Sequence, residues 1–272
     1  MTRDQGTGPV DIDPRRPSVA RIYDYCLGGS HHFEVDREAA EQIITRAPQM
    51  VATWRANRAF LRRAVRFCVR RGIDQFLDLG SGIPTVGNVH EIAQTANGRA
   101  RVVYVDVDPV AVAHASTLLA GNPYATAVRA DITNTDYLLK HPELRTMLDL
   151  GRPVAILMVA VLHFLPDAES AVAEYRDAVP SGSMLAISHA TSDDSAPWWR
   201  EALRAFAASG SVPGGGSGYI RTRAEIAGLF GDFVLEPPGL VRLPRWHPDS
   251  APAPGEDDPD QFPAYGGVGV KP

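Results

Sequence analysis

Residues 75–85 hold the feature that most constrains the fold, a short apolar run that stops at an acidic residue and two alternate glycines. The apolar side chains of Phe76, Leu77 and Leu79 suit a buried β-strand. The chain then turns through Gly80 and Gly82, where the missing Cβ atoms let backbone N–H groups approach a ligand closely. Asp78 is thereby placed at the carboxyl end of a strand, which is where open α/β sheets bind ligands.

Strands and helices alternate after this stretch, which favours a mostly parallel sheet with crossover helices. The apolar runs predict strands at residues 75–79, 101–106, 125–129, 154–159, 183–189, 233–243 and 264–270. Helical spacing predicts intervening helices at residues 86–94, 109–120, 134–150, 167–179, 196–208 and 223–230. Pro142 falls inside the third of these helices and is expected to break it.

The segment before the first strand is predicted to be helical, with helices at residues 18–27, 36–47 and 49–71. The longest has a stripe of apolar residues at helical spacing, namely Met50, Trp54, Leu61, Val65 and Cys68. Its arginines are expected on a solvated face: Arg55, Arg62, Arg63, Arg66 and Arg70. We therefore predict a disordered tail at residues 1–17 and a single domain at 18–272. That domain comprises a helical cap or lid at 18–72 and a Rossmann-like core at 73–272.

Length, net charge, apolar runs and the positions of cysteine and histidine limit the classes of function that are expected. The chain has 272 residues and a net charge of -5, which gives no reason to expect nucleic acid or an anionic membrane as a partner. The longest apolar run, residues 154–162, is far shorter than the ~20 residues of a membrane span, and a cytoplasmic protein is expected. Cys26 and Cys68 are expected to be buried thiols. His31 and His32 stand without nearby acidic or cysteine ligands, so no metal site is predicted.

Carboxylates follow three successive predicted strands. Asp106 ends the second strand, 24 residues beyond Gly82, close to the offset at which an acidic residue binds a ribose diol. Asp131 follows the third strand and could accept a hydrogen bond from an adenine amino group. Each could instead cap a helix or order a turn, and Asp108 is better explained in that way because Pro109 follows it. Together they favour a nucleoside-containing cofactor.

A dinucleotide cofactor is the weaker alternative. Its fingerprint requires a third small residue three positions after the second glycine, and Thr85 stands there. This argues against an NAD-dependent oxidoreductase.

The motifs resemble those of class I S-adenosylmethionine-dependent methyltransferases. The matching stretches are Asp78-Leu79-Gly80-Ser81-Gly82, Val105-Asp106-Val107-Asp108-Pro109, Ala130-Asp131-Ile132 and Leu162-His163-Phe164-Leu165-Pro166-Asp167. The N-terminal stretches Arg21-Ile22-Tyr23-Asp24-Tyr25-Cys26-Leu27-Gly28-Gly29 and Ala56-Asn57-Arg58-Ala59-Phe60-Leu61 are similar to the actinobacterial S-adenosyl methyltransferase family, formerly a domain of unknown function.

The resemblance implies an α/β fold of Rossmann-like class I type, with a seven-stranded, mostly parallel sheet, an antiparallel last strand and an N-terminal helical cap. It implies S-adenosylmethionine as cofactor and S-adenosylhomocysteine as product. The implied cofactor residues are Asp78, Gly80, Ser81, Gly82, Asp106, Val107, Asp131, Ile132 and Ala160. Asp106 would hold the ribose, Val107 would pack on adenine, and the segment after the fourth strand would line the methyl-transfer pocket.

His163 is the best candidate for a general base, because it follows the fourth strand and an imidazole titrates near neutral pH. Tyr23 is a weaker candidate, and either residue could have a packing role instead. The acceptor is expected to be a small molecule, given the acidic net charge. A protein that binds the cofactor without turnover remains an alternative, and the oligomeric state is not readable from the sequence.

Overall fold

The structure is a computed structural model that describes residues 13–84, 87–193, 196–212, 214–249 and 262–272. Most of the predicted N-terminal tail, together with Thr85 and Val86, lies outside these ranges. Residues 13–17 are described, and Asp13, Arg16 and Pro17 line the main cleft introduced below.

A mixed sheet forms the centre of the molecule. Its strands are β1 (Gln75–Leu79), β2 (Arg101–Asp106), β3 (Ala125–Arg129), β4 (Ala155–Val159), β5 (Met184–Ala190), β6 (Val234–Leu235), β7 (Val241–Arg242) and β8 (Ala264–Val270). The order is β3-β2-β1-β4-β5-β8-β6, and β7 also pairs with β8. The pairs among the first five strands are parallel, whereas β8 runs antiparallel to β5, β6 and β7. The predicted α/β fold with its antiparallel last strand is confirmed.

The predicted strand at residues 233–243 is wrong as a single element. It consists of the two short strands β6 and β7, so the described part of the sheet has eight strands rather than seven. Pro237 and Pro238 stand between them and have no N–H to donate to a β-ladder, and Gly239 turns the chain with a φ of 84°.

Helices cover both faces of the sheet. They are α1 (Val19–Cys26), α2 (Glu34–Arg46), α3 (Gln49–Arg70), α4 (Val89–Ala96), α5 (Pro109–Leu118), α6 (Thr135–Leu139), α7 (Pro142–Met147), α8 (Ala168–Asp177), α9 (Pro197–Ser209) and α10 (Arg223–Gly228). The helix predicted at residues 134–150 is divided into α6 and α7, and Pro142 begins the second, as expected. No helix in the described ranges is long and apolar enough to cross a membrane.

The N-terminal helices pack on the sheet and on α9 rather than forming a separate unit. The apolar stripe of α3 is buried, as predicted, and Phe60 and Val65 join the core on one face of the sheet. Another cluster joins α1 and α2 to α9, with Ile22 and Ile43 in the same cluster as Trp199. The cap thereby closes over the carboxyl ends of the strands.

A buried ion-pair network also fastens the cap. The guanidinium of Arg21 donates from Nε to Asp36 at 2.7 Å and from Nη1 to Asp108 at 3.2 Å. Ser18 donates its hydroxyl to the same Asp108 carboxylate. Asp108 begins α5 directly after β2, so this network links the cap to the edge of the sheet that holds Asp106.

The prediction that all five arginines of α3 face solvent is wrong for Arg63. Its side chain is 7% exposed, with Nε donating to Trp246 O at 2.7 Å and Nη2 donating to Leu243 O at 2.8 Å. Burial lowers the pKa of Arg63 from its ordinary value. These bonds tie α3 to the segment that follows β7, a contact that helical spacing alone does not reveal.

We expect Arg63→Met to lower the free energy of unfolding by about 2–4 kcal/mol, because methionine fills the space but removes the side-chain donors to two buried carbonyl groups. The Leu243 carbonyl keeps the Trp246 amide, 3.3 Å away, as a donor, whereas the Trp246 carbonyl loses the bond from Arg63. The change is measured as a shift in the denaturation midpoint. The exposed Arg66 on the same helix provides the control, and Arg66→Met is expected to cost less than about 1 kcal/mol. Equal effects of the two substitutions would contradict the structural role of Arg63.

Candidate functional site

The turn after β1 brings backbone N–H groups to the carboxyl edge of the sheet. Gly80 and Gly82 have φ values of 72° and 63°, in the left-handed region that favours glycine. A Cβ atom on Gly80 would lie 2.3 Å from a methyl group of Val161, so no larger residue fits. The amides of Gly80 and Ser81 donate to Val105 O at 2.8 and 3.0 Å, which holds the turn against β2.

Asp106 lies at the end of β2 and completes this turn. Its carboxylate accepts from the Gly82 amide at 2.7 Å and from the Asp108 amide at 2.8 Å. A carboxylate has about four lone-pair positions, so acceptor capacity remains for a pair of hydroxyl groups. Burial raises the pKa of Asp106 to about 6, although the two amides oppose this shift. The side chain of Asp108 caps α5 by accepting from the Val110 amide at 2.8 Å, as predicted.

Asp78 is a second buried carboxyl group at this edge, with 5% of the residue exposed. Burial raises its pKa to about 7; the positive charge of Arg58 on α3 opposes this shift, and the neighbouring Asp106 adds to it. The edge thus presents carboxyl groups and a guanidinium close together. Such a set can bind a ligand that carries both an ammonium and a carboxylate.

The residues after β3 and β2 form an apolar surface beside these acids. Val107 is 59% exposed, which is unusual for a large aliphatic side chain, and it lines the main cleft defined below. Ile132 is buried nearby. Asp131 accepts from the amide and the hydroxyl of Thr133 at 2.9 and 2.7 Å, so it orders its own turn with one carboxylate oxygen.

All nine residues predicted to bind the cofactor line one cleft, which we call the main cleft. Its volume is 740 Å³, within the range of small-molecule sites. The nine are Asp78, Gly80, Ser81, Gly82, Asp106, Val107, Asp131, Ile132 and Ala160. Residues 16–21 of the cap form the opposite wall. The fold therefore brings together groups from the ends of four strands, as their spacing in the sequence predicts.

A smaller chamber, which we call the inner cavity, adjoins the main cleft and has a volume of 90 Å³. Five residues line both spaces, namely Val19, Tyr23, Asn57, Ala160 and Phe164. The rest of its wall comes from α3, β5, α9 and the segments near residues 163, 217, 243 and 263. A ligand in the main cleft and a second ligand in the inner cavity would meet at this boundary.

Ala160 stands at the boundary in a strained conformation. Its φ is 58°, which non-glycine residues rarely adopt. Its amide donates to the Ser188 hydroxyl at 2.9 Å and to Ser188 O at 3.1 Å. These bonds hold the end of β4 against β5. Because the side chain of Ala160 is small, it does little to separate the main cleft from the inner cavity.

A hydrogen-bond chain continues from Ser188 to the cap. The Ser188 hydroxyl donates to Asn57 Oδ1 at 2.6 Å, and Asn57 Nδ2 donates to the Tyr23 hydroxyl at 3.2 Å. Tyr23 in turn donates to Trp54 O at 3.0 Å. Burial raises the pKa of Tyr23, so its hydroxyl keeps its proton and holds the bond to the carbonyl. The structure thus places Tyr23 at the boundary with its hydroxyl already bonded.

His163 lines the inner cavity but not the main cleft. Its Nδ1 atom is buried and has no hydrogen-bond partner in the structure. Its ring lies 5.3 Å from that of His189, edge to face. Burial, with His189 and the nearby Arg221 adding to the effect, lowers the pKa of His163 well below its ordinary value, which keeps the imidazole neutral.

His189 and Arg221 form a bonded pair behind His163. Arg221 can only donate, so its Nη1 contact of 3.1 Å makes His189 Nε2 the acceptor. His189 Nδ1 then carries the proton and donates to Ala190 O at 2.6 Å. Burial lowers the pKa of His189 to about 4, so it too is neutral.

The paired histidines of the N-terminal segment are engaged with other groups. His31 packs against His114 with ring centroids 3.5 Å apart, and His32 Nδ1 lies 3.3 Å from Asp24. Among the described residues no group of three or more candidate ligands could hold a metal ion. Both cysteines are buried and unpaired, and burial raises their pKa values to about 12.

Sequence reasoning assigned no role to Asn57, Arg58, Ser188 or Arg221. The sequence held one indication of a role for Asn57, because this polar residue stands three positions after Trp54 on the buried stripe of α3. A buried amide needs hydrogen-bond partners, and such a residue is therefore a candidate for a site. The role of Arg221 depends on contacts with residues about 30 to 60 positions away, which no local pattern indicates.

The main cleft fits S-adenosylmethionine on three structural grounds. The glycine turn admits close approach, since Gly82 lines the cleft without a side chain and has no atom within 4 Å of where a Cβ would stand. Asp106 keeps acceptor capacity for a ribose diol. Asp78 and Arg58 line the same cleft and can bind the ammonium and the carboxylate of an amino acid.

Comparisons with known proteins agree with this geometry. Two similar crystal structures are of a Thermobifida fusca YX protein assigned as a methyltransferase and of a DUF574 family protein from Streptomyces avermitilis MA-4680. The first is 40% identical, with a TM-score of 0.88 and coverage of 97% of this chain and 98% of that chain. The second is 39% identical, with a TM-score of 0.89 and coverage of 96% and 99%. Among proteins of curated function none matches significantly.

The profile of the S-adenosyl methyltransferase family matches residues 5–272, which is nearly the whole chain. The chain therefore belongs to the S-adenosyl methyltransferase family, whose cofactor is S-adenosylmethionine.

Proposed function

We propose that the chain catalyses methyl transfer from S-adenosylmethionine in the main cleft to a small molecule in the inner cavity. The observation that carries this proposal is the shared boundary, since Tyr23, Asn57 and Ala160 line both spaces. A cofactor and an acceptor that meet there would be held in contact, and such positioning supplies much of the rate in a group transfer.

The main cleft would orient the cofactor. Asp106 would accept hydrogen bonds from the ribose hydroxyls, Asp78 and Arg58 would bind the amino-acid end, and Val107 and Ile132 would pack on the adenine, whose amino group Asp131 would bind. When bound, the cofactor supplies an electrophilic methyl group on a sulfonium. The chain's own residues would bind and orient the cofactor and exclude water from it. Ala160, with Asn57 and Ser188, would form the wall of the transfer site.

His163 is the proposed catalytic residue, and Tyr23, the second candidate, has a different role. His163 lines the inner cavity and its imidazole is neutral, so a ring nitrogen with a free lone pair can accept a proton from an acceptor there. Tyr23 already donates to Trp54 O and accepts from Asn57, so we assign it to shaping the boundary rather than to removing a proton.

The size and location of the inner cavity support a small acceptor. An inner cavity of 90 Å³ has room for one small group, which favours a small molecule over a larger acceptor. The net charge of -5 likewise offers no attraction for nucleic acid.

The decisive experiment uses S-adenosylmethionine with an isotopically labelled methyl group and a small-molecule extract. The proposal expects the label in a low-mass product, with S-adenosylhomocysteine formed in equal amount. A protein that only binds the cofactor would give tight binding in calorimetry and no label transfer with any fraction of the extract.

Replacing the proposed ribose ligand should weaken cofactor binding. We expect Asp106→Asn to raise the Kd for S-adenosylhomocysteine roughly 30- to 1000-fold, which corresponds to about 2–4 kcal/mol for hydrogen bonds to a charged acceptor. Calorimetric titration measures the change. Asp136→Asn, an exposed carboxylate on α6, is the control and should leave the Kd unchanged. Unaltered affinity of the Asp106 variant would disprove the assignment.

The affinity for S-adenosylhomocysteine should also depend on pH. The Asp106 carboxyl has a pKa of about 6 and the Asp78 carboxyl one of about 7, both raised by burial. Protonation turns one oxygen of each carboxyl into a donor and removes the negative charge that strengthens bonds from ribose hydroxyls and an ammonium group. Affinity should therefore rise with pH through this window. At pH 5 about one-tenth of a group of pKa 6 is ionised, so binding should be at least about tenfold weaker than at pH 8.

The charged groups around these two carboxyls are Arg58 and Asp108, with Arg21 on the far side of Asp108. In the Asp106→Asn variant the step near pH 6 should be absent. A pH-independent Kd for the wild-type protein between pH 5 and 8 would contradict the prediction.

A further inference from the structure

The inner cavity lacks charged side chains, which restricts what it can hold. Among the described residues that line it there is no aspartate, glutamate, lysine or arginine. Its two histidines are neutral, because burial lowers the pKa of both. An ionised carboxylate, phosphate or ammonium would lose its hydration there without gaining a counter-charge, at a cost of several kcal/mol.

Arg221 lies against His189 but does not line the inner cavity. Its Nη1 donates to Leu162 O at 3.1 Å as well as to His189, and its Nη2 donates to Leu165 O at 3.3 Å. The carboxylate of Glu169 lies 3.7 Å from its Nε. The guanidinium thus serves protein groups and is separated from the cavity by the two imidazoles.

Aromatic side chains form part of the wall of the cavity. Trp54 makes edge-to-face contacts with Tyr23 and with Phe206, at centroid distances of 6.2 and 6.1 Å, and Trp199 and Phe164 also line it. A volume of 90 Å³ is below the roughly 150 Å³ of a closed cavity that holds benzene, so it suits nothing larger than a single ring, with substituents that extend toward the shared boundary with the main cleft. Ring edges and faces bind a planar aromatic ring well.

His163 is a polar side chain of the cavity that a ligand can engage. His189 uses both of its ring nitrogens, whereas neither ring nitrogen of His163 bonds to another described residue. Nδ1 of His163 is shut off from the cavity, which leaves Nε2 as the ring atom that a ligand there can reach. A neutral imidazole has one N–H and one lone pair, and a hydroxyl group, which both donates and accepts, can pair with either.

Building on the function proposed above, we propose that the methyl acceptor is an uncharged single-ring aromatic hydroxyl compound, a phenol or its heteroaromatic equivalent, whose hydroxyl pairs with His163 in the inner cavity. The acceptor oxygen forms a bond to the methyl carbon as the carbon–sulfur bond breaks, and sulfur leaves with the bonding pair. The hydroxyl proton passes to the lone pair of His163, so the positive charge of the sulfonium ends on the imidazolium.

A weak base is sufficient for this step. The hydroxyl proton becomes strongly acidic only as the oxygen gains its methyl group, so it moves late, toward a group that stays neutral beforehand. Burial and the charge of Arg221 keep His163 in that neutral state. The products are a neutral aryl methyl ether and a neutral thioether, and His163 then loses its proton to solvent.

Binding of four matched fluorinated rings tests the proposal without relying on turnover. The probes are 4-fluorophenol, 4-fluorotoluene, 4-fluorobenzoate and 4-fluorobenzylammonium, followed by ¹⁹F NMR with the full chain saturated with S-adenosylhomocysteine. We expect 4-fluorophenol to bind at least tenfold more tightly than either charged ring, and several-fold more tightly than 4-fluorotoluene. Equal or tighter binding of a charged ring, or no binding of any ring, would overturn the proposal.

Two variants assign the binding to this cavity. His163→Phe keeps a ring of similar size but has no nitrogen, so the preference for 4-fluorophenol over 4-fluorotoluene should disappear. Ser217→Phe fills the cavity from a surface loop and should abolish binding of all rings. Each variant must bind S-adenosylhomocysteine with wild-type affinity, which shows that it is folded.

The cofactor titration separates the two proposals. If S-adenosylhomocysteine fails to bind the wild-type protein, the proposed function and the acceptor class both fail. If it binds and the preference for 4-fluorophenol is absent, only the acceptor class fails.

Discussion

The site depends on the hydrogen bonds that Ser188 makes at the end of β4. The amide of Ala160 donates to the Ser188 hydroxyl, and that hydroxyl donates to Asn57 on the cap. One side chain thereby connects two strands of the sheet to α3. Because Ala160 is held at a φ of 58°, the chain turns away at this point and leaves the main cleft open to the inner cavity. Strain in the backbone is thus offset by a buried polar network, an arrangement common at functional sites.

The N-terminal helices are part of the site rather than an appendage. Arg21 joins Asp36 of the cap to Asp108, the residue that begins α5, and the Asp108 amide donates to Asp106. A displacement of the cap would therefore shift Asp106, the proposed ribose ligand, which lies two residues before Asp108. The same helices supply Tyr23 and Trp54 to the inner cavity, so they contribute to both binding spaces.

Electrostatics differ between the two spaces. The main cleft holds buried carboxyls with raised pKa values and Arg58 beside them, which suits a zwitterionic ligand with a ribose. The inner cavity is neutral, since Arg221 and burial keep both histidines uncharged. Each space would therefore favour its own class of ligand, and a charged metabolite would be disfavoured in the inner cavity.

The sequence by itself determined the order of strands and helices along the chain and the edge of the sheet where the predicted cofactor residues meet. The hydrophobic periodicity and the turn residues between the apolar runs place Asp78, Asp106 and Asp131 at successive strand ends. Parallel strands bring such ends together. Those signals are local, so they survive without knowledge of the tertiary structure. The division of residues 233–243 into β6 and β7 was missed, although Pro237 and Pro238 were present to suggest it.

Tertiary structure alone decided which polar residues of the helical cap are buried and what they contact. Arg63 looks like any exposed arginine of α3 until the segment at residues 243–246 covers it. His163 looks like a loop residue until β5 and Arg221 surround it. Asn57 is hydrogen-bonded to Ser188, which lies 131 positions further along the chain. Contacts of that separation depend on packing, which local periodicity does not encode.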